Sequence, residues 1–222
     1  MLGHECLGIR EDAISADGGL GPWHATGSPE PDSSADGRFR VLQPGELTES
    51  QRDLYRAIVN SNRAQESRPF PIVDEDGGLR GPFNAMLYVP ALGHLLQEIG
   101  AVLRYQGSLL PRMREIAIII VAAHEKSGYE WALHAHQGRL LGLSEDELLV
   151  LARAQAGVLP DPVEESIAEA VREILDTGDL SDTTYKQIRG LLGEAALFEL
   201  AVLVSHYRLL ALVLRLFGPN DT

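Results

Sequence analysis

The stretch Glu115-Ile-Ala-Ile-Ile-Ile-Val-Ala-Ala-His124 is followed, two residues later, by Ser127-Gly-Tyr-Glu-Trp-Ala-Leu-His134. From Ile116 to Ala123 the first run is apolar on every side, which predicts a helix at the centre of the molecule. Gly128 interrupts the pattern, and the second run predicts another helix. Two consecutive helices of this kind favour an all-α fold with a helical hairpin in its core.

Helical spacing of apolar residues continues on both sides of this hairpin, and no strand-like alternation is found. Thr48 and Ser144 are predicted N-caps, because Gln51 and Glu147 stand at the capping-box position. Leu54, Ala57 and Ile58 are predicted to form the inner stripe of the first helix. In the second helix the predicted apolar stripe consists of Leu92, Leu95, Leu96, Ile99, Val102 and Leu103. Helices are predicted from Thr48, from Pro90 to Gly107, and over about 111–125, 129–141, 163–176, 181–192 and 194–217, with another beginning at Ser144.

Composition bounds the function classes. The 222 residues have a formal net charge of −13, which is opposite to what a nucleic-acid-binding protein needs. Cys6 is the only cysteine, so neither a disulfide within the chain nor a Cys-x-x-Cys redox pair can form, and we expect a reducing, cytoplasmic location. The apolar stretch 195–217 contains Glu199 and two arginines, so we expect a buried or interface helix rather than a membrane span.

The chain is expected to have two parts. Residues 1–40 are rich in Gly, Ser, Asp and Pro and lack an apolar period, which predicts a flexible N-terminal arm. Residues 41–222 contain all the predicted helices and form the helical domain. Between the first two helices, the segment 67–90 is predicted to be a long irregular loop.

Glu130 and His134 are one helical turn apart, so the carboxylate can hold the imidazole and help it to move a proton near neutral pH. Glu115, at the start of the preceding helix, reaches His134 only if the two helices cross suitably. By spacing alone, an ordinary helical ion pair is the more frequent explanation. The His-Glu-x-x-His metal pattern is absent, and no metal or cofactor is predicted.

Arginines are candidates for binding a substrate carboxylate, because the guanidinium can hold it with two hydrogen bonds. Four of them precede or open the central helix, and ordinary surface solvation is the alternative for at least two. Polar side chains in the last apolar helix need partners, so an intersubunit network is as good an explanation there as catalysis. The arginines are Arg80, Arg104, Arg112 and Arg114, and the polar residues of the last helix are Glu199, His206 and Tyr207.

Four stretches give the chain a resemblance to the carboxymuconolactone decarboxylase family, which is related to alkylhydroperoxidase D. They extend over about residues 80–217, in the family's order and spacing. They are Gly81-Pro-Phe-Asn, Leu110-Pro-Arg-Met-Arg-Glu-Ile-Ala117, Tyr129-Glu-Trp-Ala-Leu-His134 with Gly142-Leu-Ser, and Glu199-Leu-Ala-Val-Leu-Val-Ser-His-Tyr207.

The resemblance implies an all-α, alkylhydroperoxidase D-like helical bundle that is oligomeric, as a dimer, trimer or hexamer. His134 matches the catalytic histidine of the peroxidase branch and Glu115 matches its early glutamate. Ser127 and Glu130 occupy the two cysteine positions, which argues against thiol-based peroxide reduction. The chain resembles the Tyr-Glu-Trp-x-x-His subgroup, and Tyr129 and Trp131 are expected to contact the substrate together with Arg80, Arg112 and Arg114.

The leading hypothesis is therefore a bacterial, cofactor-independent lyase or isomerase that acts on a small organic acid or lactone. His134 would be the general acid and base, and Glu130 or Glu115 would orient it. One alternative is a non-catalytic, oligomeric binding or accessory protein of the same fold. Another is residual peroxidase-like activity, which the missing cysteines disfavour. We expect a small-molecule substrate and other copies of the chain as partners, without nucleic acid or membrane.

Overall fold

The computed structural model describes residues 40–153 and 159–218, and the predicted arm at 1–40, with Cys6, lies almost entirely outside this part. The regular secondary structure of the described residues consists of helices, with a 3-10 turn at Pro44–Glu46 and a single antiparallel bridge between Val73 and Leu79. The helices are α1 (Glu49–Val59), α2 (Asn62–Gln65), α3 (Phe83–Leu87), α4 (Pro90–Tyr105), α5 (Pro111–His124), α6 (Gly128–Leu140), α7 (Glu145–Ala152), α8 (Pro162–Thr177) and α9 (Asp182–Phe217). The all-α prediction is confirmed.

Local signals set the helix ends. The Thr48 hydroxyl accepts a hydrogen bond from the backbone N–H of Gln51, and the Gln51 side chain accepts one from the backbone N–H of Thr48. Ser144 and Glu147 form the same reciprocal pair. Gly142 closes α6 with φ +86°, a left-handed conformation that glycine adopts without steric cost. Inside α9, Gly193 has φ +80° and ψ 172°, so two helical segments meet there, as the predicted break between 192 and 194 requires.

The core is built around α5. Every residue of α5 from Glu115 to Ala122 is buried, and α6, α7, α8 and α9 pack around this helix. An all-round apolar helix is stable only in such a position, because any exposed side would leave aliphatic surface in water. The central placement that the sequence predicts for this helix is therefore the observed one.

The outer face of α4 differs from the prediction. Leu103 alone of the expected apolar stripe is buried, while the inward positions of α4 are Gly93, Gln97, Gly100 and Leu103. The glycines explain the inversion, because a Cβ atom at Gly93 would stand 2.6 Å from the Met86 carbonyl oxygen and collide with a methyl group of Leu54. Close helix packing takes precedence here over burial of the larger side chains, which remain exposed at Leu92, Leu95, Ile99 and Val102.

Two smaller expectations are corrected. Ala57 is exposed, so the inner stripe of α1 consists of Leu54 and Ile58. The segment 67–90 is more ordered than a plain loop, because it contains the Val73–Leu79 bridge and the short helix α3. The carboxylate of Asp74 accepts hydrogen bonds from the backbone N–H groups of Asp76 and Gly78 and so stabilises the tight turn formed by these residues.

Helix α9 is long and apolar enough to cross a membrane by length and composition, and it is the one such helix in the described part of the chain. This is weak evidence for a span, because core helices pass the same test. The helix packs against α5 and α8 and buries Leu200, Leu203 and Val204. Glu199 accepts from the backbone of Ser108 and Leu109, which gives this carboxylate a role within one chain.

Candidate active site

The structure brings Glu115, Glu130 and His134 together in the core of the α5–α6 hairpin. Oε2 of Glu115 lies 2.6 Å from Nδ1 of His134, and Oε2 of Glu130 lies 3.3 Å from Nε2 of the same ring. All three residues are at most 3% exposed. The arrangement therefore fixes both ring nitrogens of His134 between two carboxylates and away from water.

This environment favours the charged forms of Glu115 and His134. Burial alone raises the pKa of Glu115, but His134, Arg104 and Arg114 outweigh burial and hold that pKa below its usual value. Burial alone also lowers the pKa of His134, but Glu115 and then Glu130 outweigh it and raise that pKa above its usual value. An imidazolium is therefore stabilised near neutral pH, where it can donate a proton.

Arginines complete the charge balance around Glu115. Nη1 of Arg104 lies 3.9 Å from Oε1 of Glu115, and Nε of Arg114 lies 3.5 Å from the same oxygen. Arg104 also forms an ion pair of 2.7 Å with Glu66, and Arg114 donates to the Arg104 carbonyl oxygen. Together with the imidazole of His134, these two arginines surround the carboxylate of Glu115.

Helix α9 closes the site with two adjacent aromatic residues. The ring of Tyr207 meets the ring of His134 edge to face at 5.0 Å and the ring of His206 at 5.5 Å. Burial and the nearby carboxylates raise the pKa of Tyr207 to about 12, so its hydroxyl stays protonated. Burial and the charge of Arg63 lower the pKa of His206 to about 4, so His206 is neutral at pH 7.

The residues predicted to bind substrate are spread over different environments. Arg112 forms ion pairs with Glu147 and Glu164, and Arg114 is engaged with Glu115 as described above. Arg80 is half-buried and donates its backbone N–H to the carbonyl oxygen of Ile72. A substrate contact of these arginines stays a prediction, and Arg112 would have to leave two carboxylates to make one.

The aromatic candidates flank Glu130. The hydroxyl of Tyr129 accepts a 3.3 Å hydrogen bond from Arg68, and its ring lies 4.8 Å from that of Phe70. A Cβ atom at Gly81 would collide with the Tyr129 ring, so glycine in the Gly81-Pro-Phe-Asn stretch permits this packing. Trp131 is half-buried and packs against the core. Their contact with a substrate also stays a prediction.

Ser127, at the position of the first redox cysteine, is 5% exposed, and its Oγ has no hydrogen-bond partner among the described residues. In the same part of the chain, no group of three or more His, Cys, Asp or Glu side chains is arranged to hold a metal ion. The polar groups that surround His134 are therefore two carboxylates, the buried arginines and the aromatic residues of α9.

Sequence reasoning missed two arginines that lie at the site. Arg63 of α2 is 8% exposed, and Arg68, which follows the end of α2, donates to the hydroxyl of Tyr129. Neither residue stands in an apolar period or in one of the stretches that carry the family resemblance. Only the fold of the segment after α1 brings them near α6 and α9, so no sequence signal marks them.

Comparison with known families supports the resemblance. The model of the carboxymuconolactone decarboxylase family matches residues 90–173, from the start of α4 into α8, and this segment contains Glu115, Glu130 and His134. A second model, described as the DEK C terminal domain, matches residues 162–200, which form α8 and the first part of α9. No curated protein matches the chain significantly.

Two solved structures share the fold. One is an alkylhydroperoxidase AhpD core, an uncharacterized peroxidase-related protein from Ralstonia eutropha JMP134, with a TM-score of 0.64, 14% identity and coverage of 83% of this chain and 93% of that one. The other is the debrominase Bmp8 in complex with 2,3,4-tribromopyrrole, with a TM-score of 0.60, 10% identity and coverage of 81% and 90%. The alkylhydroperoxidase D-like fold is confirmed by these two structures.

Proposed function

The chain carries the sequence pattern of the carboxymuconolactone decarboxylase family on an alkylhydroperoxidase D-like fold, and from this premise we propose that it is a cofactor-independent lyase or isomerase. Its substrate is a small organic acid or lactone, and the reaction depends on proton transfer by His134. The observation that carries the proposal is the buried imidazole held between Glu115 and Glu130. A histidine in that position is both positioned and charged for general acid catalysis.

The roles of the two glutamates differ. Glu115 binds Nδ1 and is itself held by arginines, so it orients the ring and stabilises the imidazolium. Glu130 lies beside Nε2 at the longer distance of 3.3 Å, so the proton on Nε2 is the one that can be passed on. His134 donates this proton to substrate directly, or Glu130 relays it.

In a decarboxylation at this site, the substrate loses carbon dioxide and gains a proton. The electron pair of the C–C bond to the carboxylate passes into an adjacent carbonyl group of the substrate, carbon dioxide leaves, and the carbon receives the Nε2 proton of His134. In an isomerisation, Glu130 or neutral His134 removes a proton from one carbon and returns it to another. Acid–base catalysis of this kind contributes roughly 10²–10⁴-fold in rate.

The solved structures with the same fold support an enzyme, since one of them is a debrominase in complex with a brominated pyrrole. Peroxidase-like chemistry is disfavoured for this chain, because Ser127 and Glu130 stand where the redox cysteines of that branch are expected. Cys6 is the only thiol of the sequence. The peroxidase alternative would need peroxide consumption that requires a thiol reductant and is lost when Cys6 is replaced.

We also propose that the protein assembles with copies of itself in a bacterial cytoplasm, without nucleic acid or membrane as a partner. The exposed side chains of Leu92 and Leu95 on α4, at 59% and 58%, and of Phe198 on α9, at 73%, support assembly. Large apolar side chains commonly mark a protein–protein contact where they form a contiguous exposed patch.

The alternative is a binding or accessory protein in which the Glu–His–Glu group serves only the core. An exchange assay separates the two. Wild-type protein is incubated in deuterated water with carboxymuconolactone and a panel of lactone acids and β-oxo acids, and deuterium incorporation and carbon dioxide release are followed by nuclear magnetic resonance. His134→Gln is expected to lower turnover at least about 100-fold. His136→Gln, a matched change on the same helix, keeps it.

The His136 control is chosen because its ring contacts Ser67 rather than the buried carboxylates. Full activity in His134→Gln, with an unchanged circular dichroism spectrum, would reject the acid–base assignment. Loss of assembly in His134→Gln, together with no turnover of any compound of the panel by the wild type, would favour the accessory protein.

A further inference from the structure

A pocket opens between the end of α1, the helix α2 and the segment that follows α2. It has a volume of about 440 Å³, which is in the range of small-molecule sites, and is called the α2 pocket below. Two of its lining residues are charged and the others are apolar. The charged residues are Glu66 and Arg68, and the apolar ones are Val59, Ala64, Phe70, Pro71, Ile72 and Val73.

The carboxylate of Glu66 is already satisfied within the chain. Its Oε2 forms an ion pair of 2.7 Å with Nη2 of Arg104, and its Oε1 accepts a hydrogen bond of 2.8 Å from the hydroxyl of Tyr105. Both oxygens are thus engaged, and a neighbouring arginine compensates the negative charge. Among the charged residues of the pocket wall, this leaves Arg68.

The guanidinium of Arg68 has only neutral partners among the described residues. Nη1 donates to the carbonyl oxygen of Arg63 at 3.5 Å, and Nη2 donates to the hydroxyl of Tyr129 at 3.3 Å. Both distances are longer than is usual for an N–H···O hydrogen bond, so the head of Arg68 is held weakly. Each Nη atom carries two N–H groups, so each keeps a donor that a carboxylate can use.

These contacts place the head of Arg68 at the inner end of the α2 pocket. Arg63 directly precedes the lining residue Ala64, and the ring of Tyr129 packs at 4.8 Å against that of Phe70, another lining residue. The guanidinium therefore lies between two residues of the pocket wall. An acid with its carboxylate at Arg68 would rest its body against Phe70 and the aliphatic side chains beside it.

The inner end of the α2 pocket is linked to the proton-transfer group through Tyr129. This residue accepts the hydrogen bond of Arg68 and directly precedes Glu130 in α6, and the charges of Arg68 and Glu130 both act on its hydroxyl. Glu130 in turn lies 3.3 Å from Nε2 of His134. An anion at Arg68 would therefore be close to the carboxylate that contacts the imidazole.

We propose that the α2 pocket binds an organic acid with a small apolar body, and that Arg68 holds its carboxylate. Charge complementarity selects an anion, because Glu66 is neutralised by Arg104 and Arg68 has no carboxylate partner among the described residues. The apolar lining selects an organic anion over a strongly hydrated inorganic one. The assignment of this acid as the substrate rests on the proposed function, whereas its binding does not.

Direct binding tests the proposal. Benzoate and the uncharged benzamide, which have the same ring, are titrated into the full-length protein and followed by ligand-observed nuclear magnetic resonance. Wild type is expected to bind benzoate and to bind benzamide at least about 10-fold more weakly, because the charge-assisted hydrogen bonds are missing. Arg68→Met keeps the aliphatic stem and is expected to weaken benzoate binding by a similar factor.

The matched control is Arg56→Met. Arg56 lies one helical turn before the lining residue Val59, but its side chain is 64% exposed and is 3.8 Å from Asp53. Its replacement is expected to leave benzoate affinity unchanged. Equal affinity of wild type and Arg68→Met for benzoate, or equal affinity of wild type for benzoate and benzamide, would overturn the proposal.

A second variant covers the case in which Arg68→Met does not fold. Arg68→Lys keeps the positive charge but replaces the planar fork with a single ammonium group. It is expected to bind benzoate more weakly than wild type, and benzoate is expected to raise its melting temperature by less than that of wild type. An equal rise in the two proteins would show that Arg68 does not hold the carboxylate.

The opposite charge in the pocket wall gives a test that a purely structural arginine would not pass. Glu66→Gln removes the negative charge beside the bound carboxylate, so benzoate affinity is expected to rise by about 3-fold. Arg68 and Glu66 are thus expected to change the affinity in opposite directions. A lower affinity in Glu66→Gln, with an unchanged affinity in Arg68→Met, would place benzoate outside the α2 pocket.

Kinetics keep this proposal separate from the catalytic one. His134→Gln is expected to bind benzoate as wild type does. For a compound that wild type turns over, Arg68→Met is expected to raise KM about 10-fold with kcat little changed. Benzoate binding without turnover of any compound would count against the proposed function and leave the carboxylate site standing. An unchanged KM in an Arg68→Met protein that no longer binds benzoate would overturn the assignment of the acid as substrate.

Discussion

Nδ1 of His134 on α6 lies 2.6 Å from Oε2 of Glu115 on α5, nineteen positions earlier in the chain. The contact crosses the interface between the two helices and is shielded from water, since both side chains are at most 2% exposed. It therefore couples the geometry of the proposed catalytic group to the packing of the central hairpin. A change at either end is expected to affect stability as well as chemistry.

Replacing Glu115 with glutamine tests this coupling. Glu115→Gln leaves His134, Arg104 and Arg114 without their shared carboxylate, and breaking such a buried pair costs roughly 3–5 kcal/mol. The free energy of unfolding in urea is expected to fall by about that amount. Glu145→Gln, which removes a carboxylate paired with Arg139 at the surface, is the control and is expected to change it by at most ~1 kcal/mol.

The pH dependence of stability follows from the two shifted groups. His134 has a pKa above its usual value, so its contribution is complete below about pH 6.5 and is lost as the pH rises through the raised pKa. Glu115 has a pKa below its usual value, so its contribution is present above about pH 4.5 and is lost as the pH falls through the lowered pKa. Stability is expected to be greatest between these limits.

Urea unfolding of wild type and His134→Gln from pH 4 to pH 9 measures this dependence. The loss on the alkaline side is expected in wild type and absent in the variant, because glutamine does not titrate. An alkaline loss of the same size in His134→Gln would show that another group is responsible.

His206 is expected to be neutral near pH 7, whereas His134 is expected to be protonated. Burial and Arg63 lower the pKa of His206 to about 4, so its ring resonances should not shift between pH 5 and pH 8 in a nuclear magnetic resonance titration. Arg63→Met removes the positive charge and is expected to raise this pKa. A His206 that titrates near pH 6.5 in wild type would contradict the buried, cationic surroundings described for it.

Substitutions of glycine test the packing of α4, in which glycines are buried and large aliphatic side chains are exposed. Gly93→Ala places a methyl group against the Met86 carbonyl oxygen and Leu54, and overpacking of this kind is expected to cost about 1–3 kcal/mol of unfolding free energy. Gly190→Ala is the matched change in α9, where nothing lies within 4 Å of the new methyl group. It is expected to stabilise the protein by about 0.5–1 kcal/mol.

Assembly is tested on the exposed face of α4. Leu95→Glu introduces a charge at a side chain that is 58% exposed, so the monomer is expected to keep its helical content while the oligomer dissociates. Sedimentation velocity gives the mass of each form. An unchanged mass in Leu95→Glu would exclude this face of α4 from the assembly. The control is Glu98→Gln, which removes a charge at another exposed position of α4.

Local sequence signals were sufficient to define the longer helices and where most of them end, whereas the short helices α2 and α3 were not predicted. The capping boxes at Thr48 and Ser144, the left-handed Gly142 and the break at Gly193 act on neighbouring residues, so their effect is visible without the fold. The pairing of Glu130 with His134 is local for the same reason. The central place of α5 followed from an apolar surface that has to be covered on every side.

The meeting of distant groups depended instead on how the helices pack. The contact of Glu115 with His134 depends on how α5 and α6 cross, and the placement of Arg63 beside His206 depends on the fold of the segment after α1. The apolar side chains of α4 face outward because Gly93 and Gly100 occupy its inner side. These glycines allow other elements to pack closely against the helix, and hydrophobicity does not select them. Such contacts depend on distances between helices, and helical spacing within one segment contains no information about them.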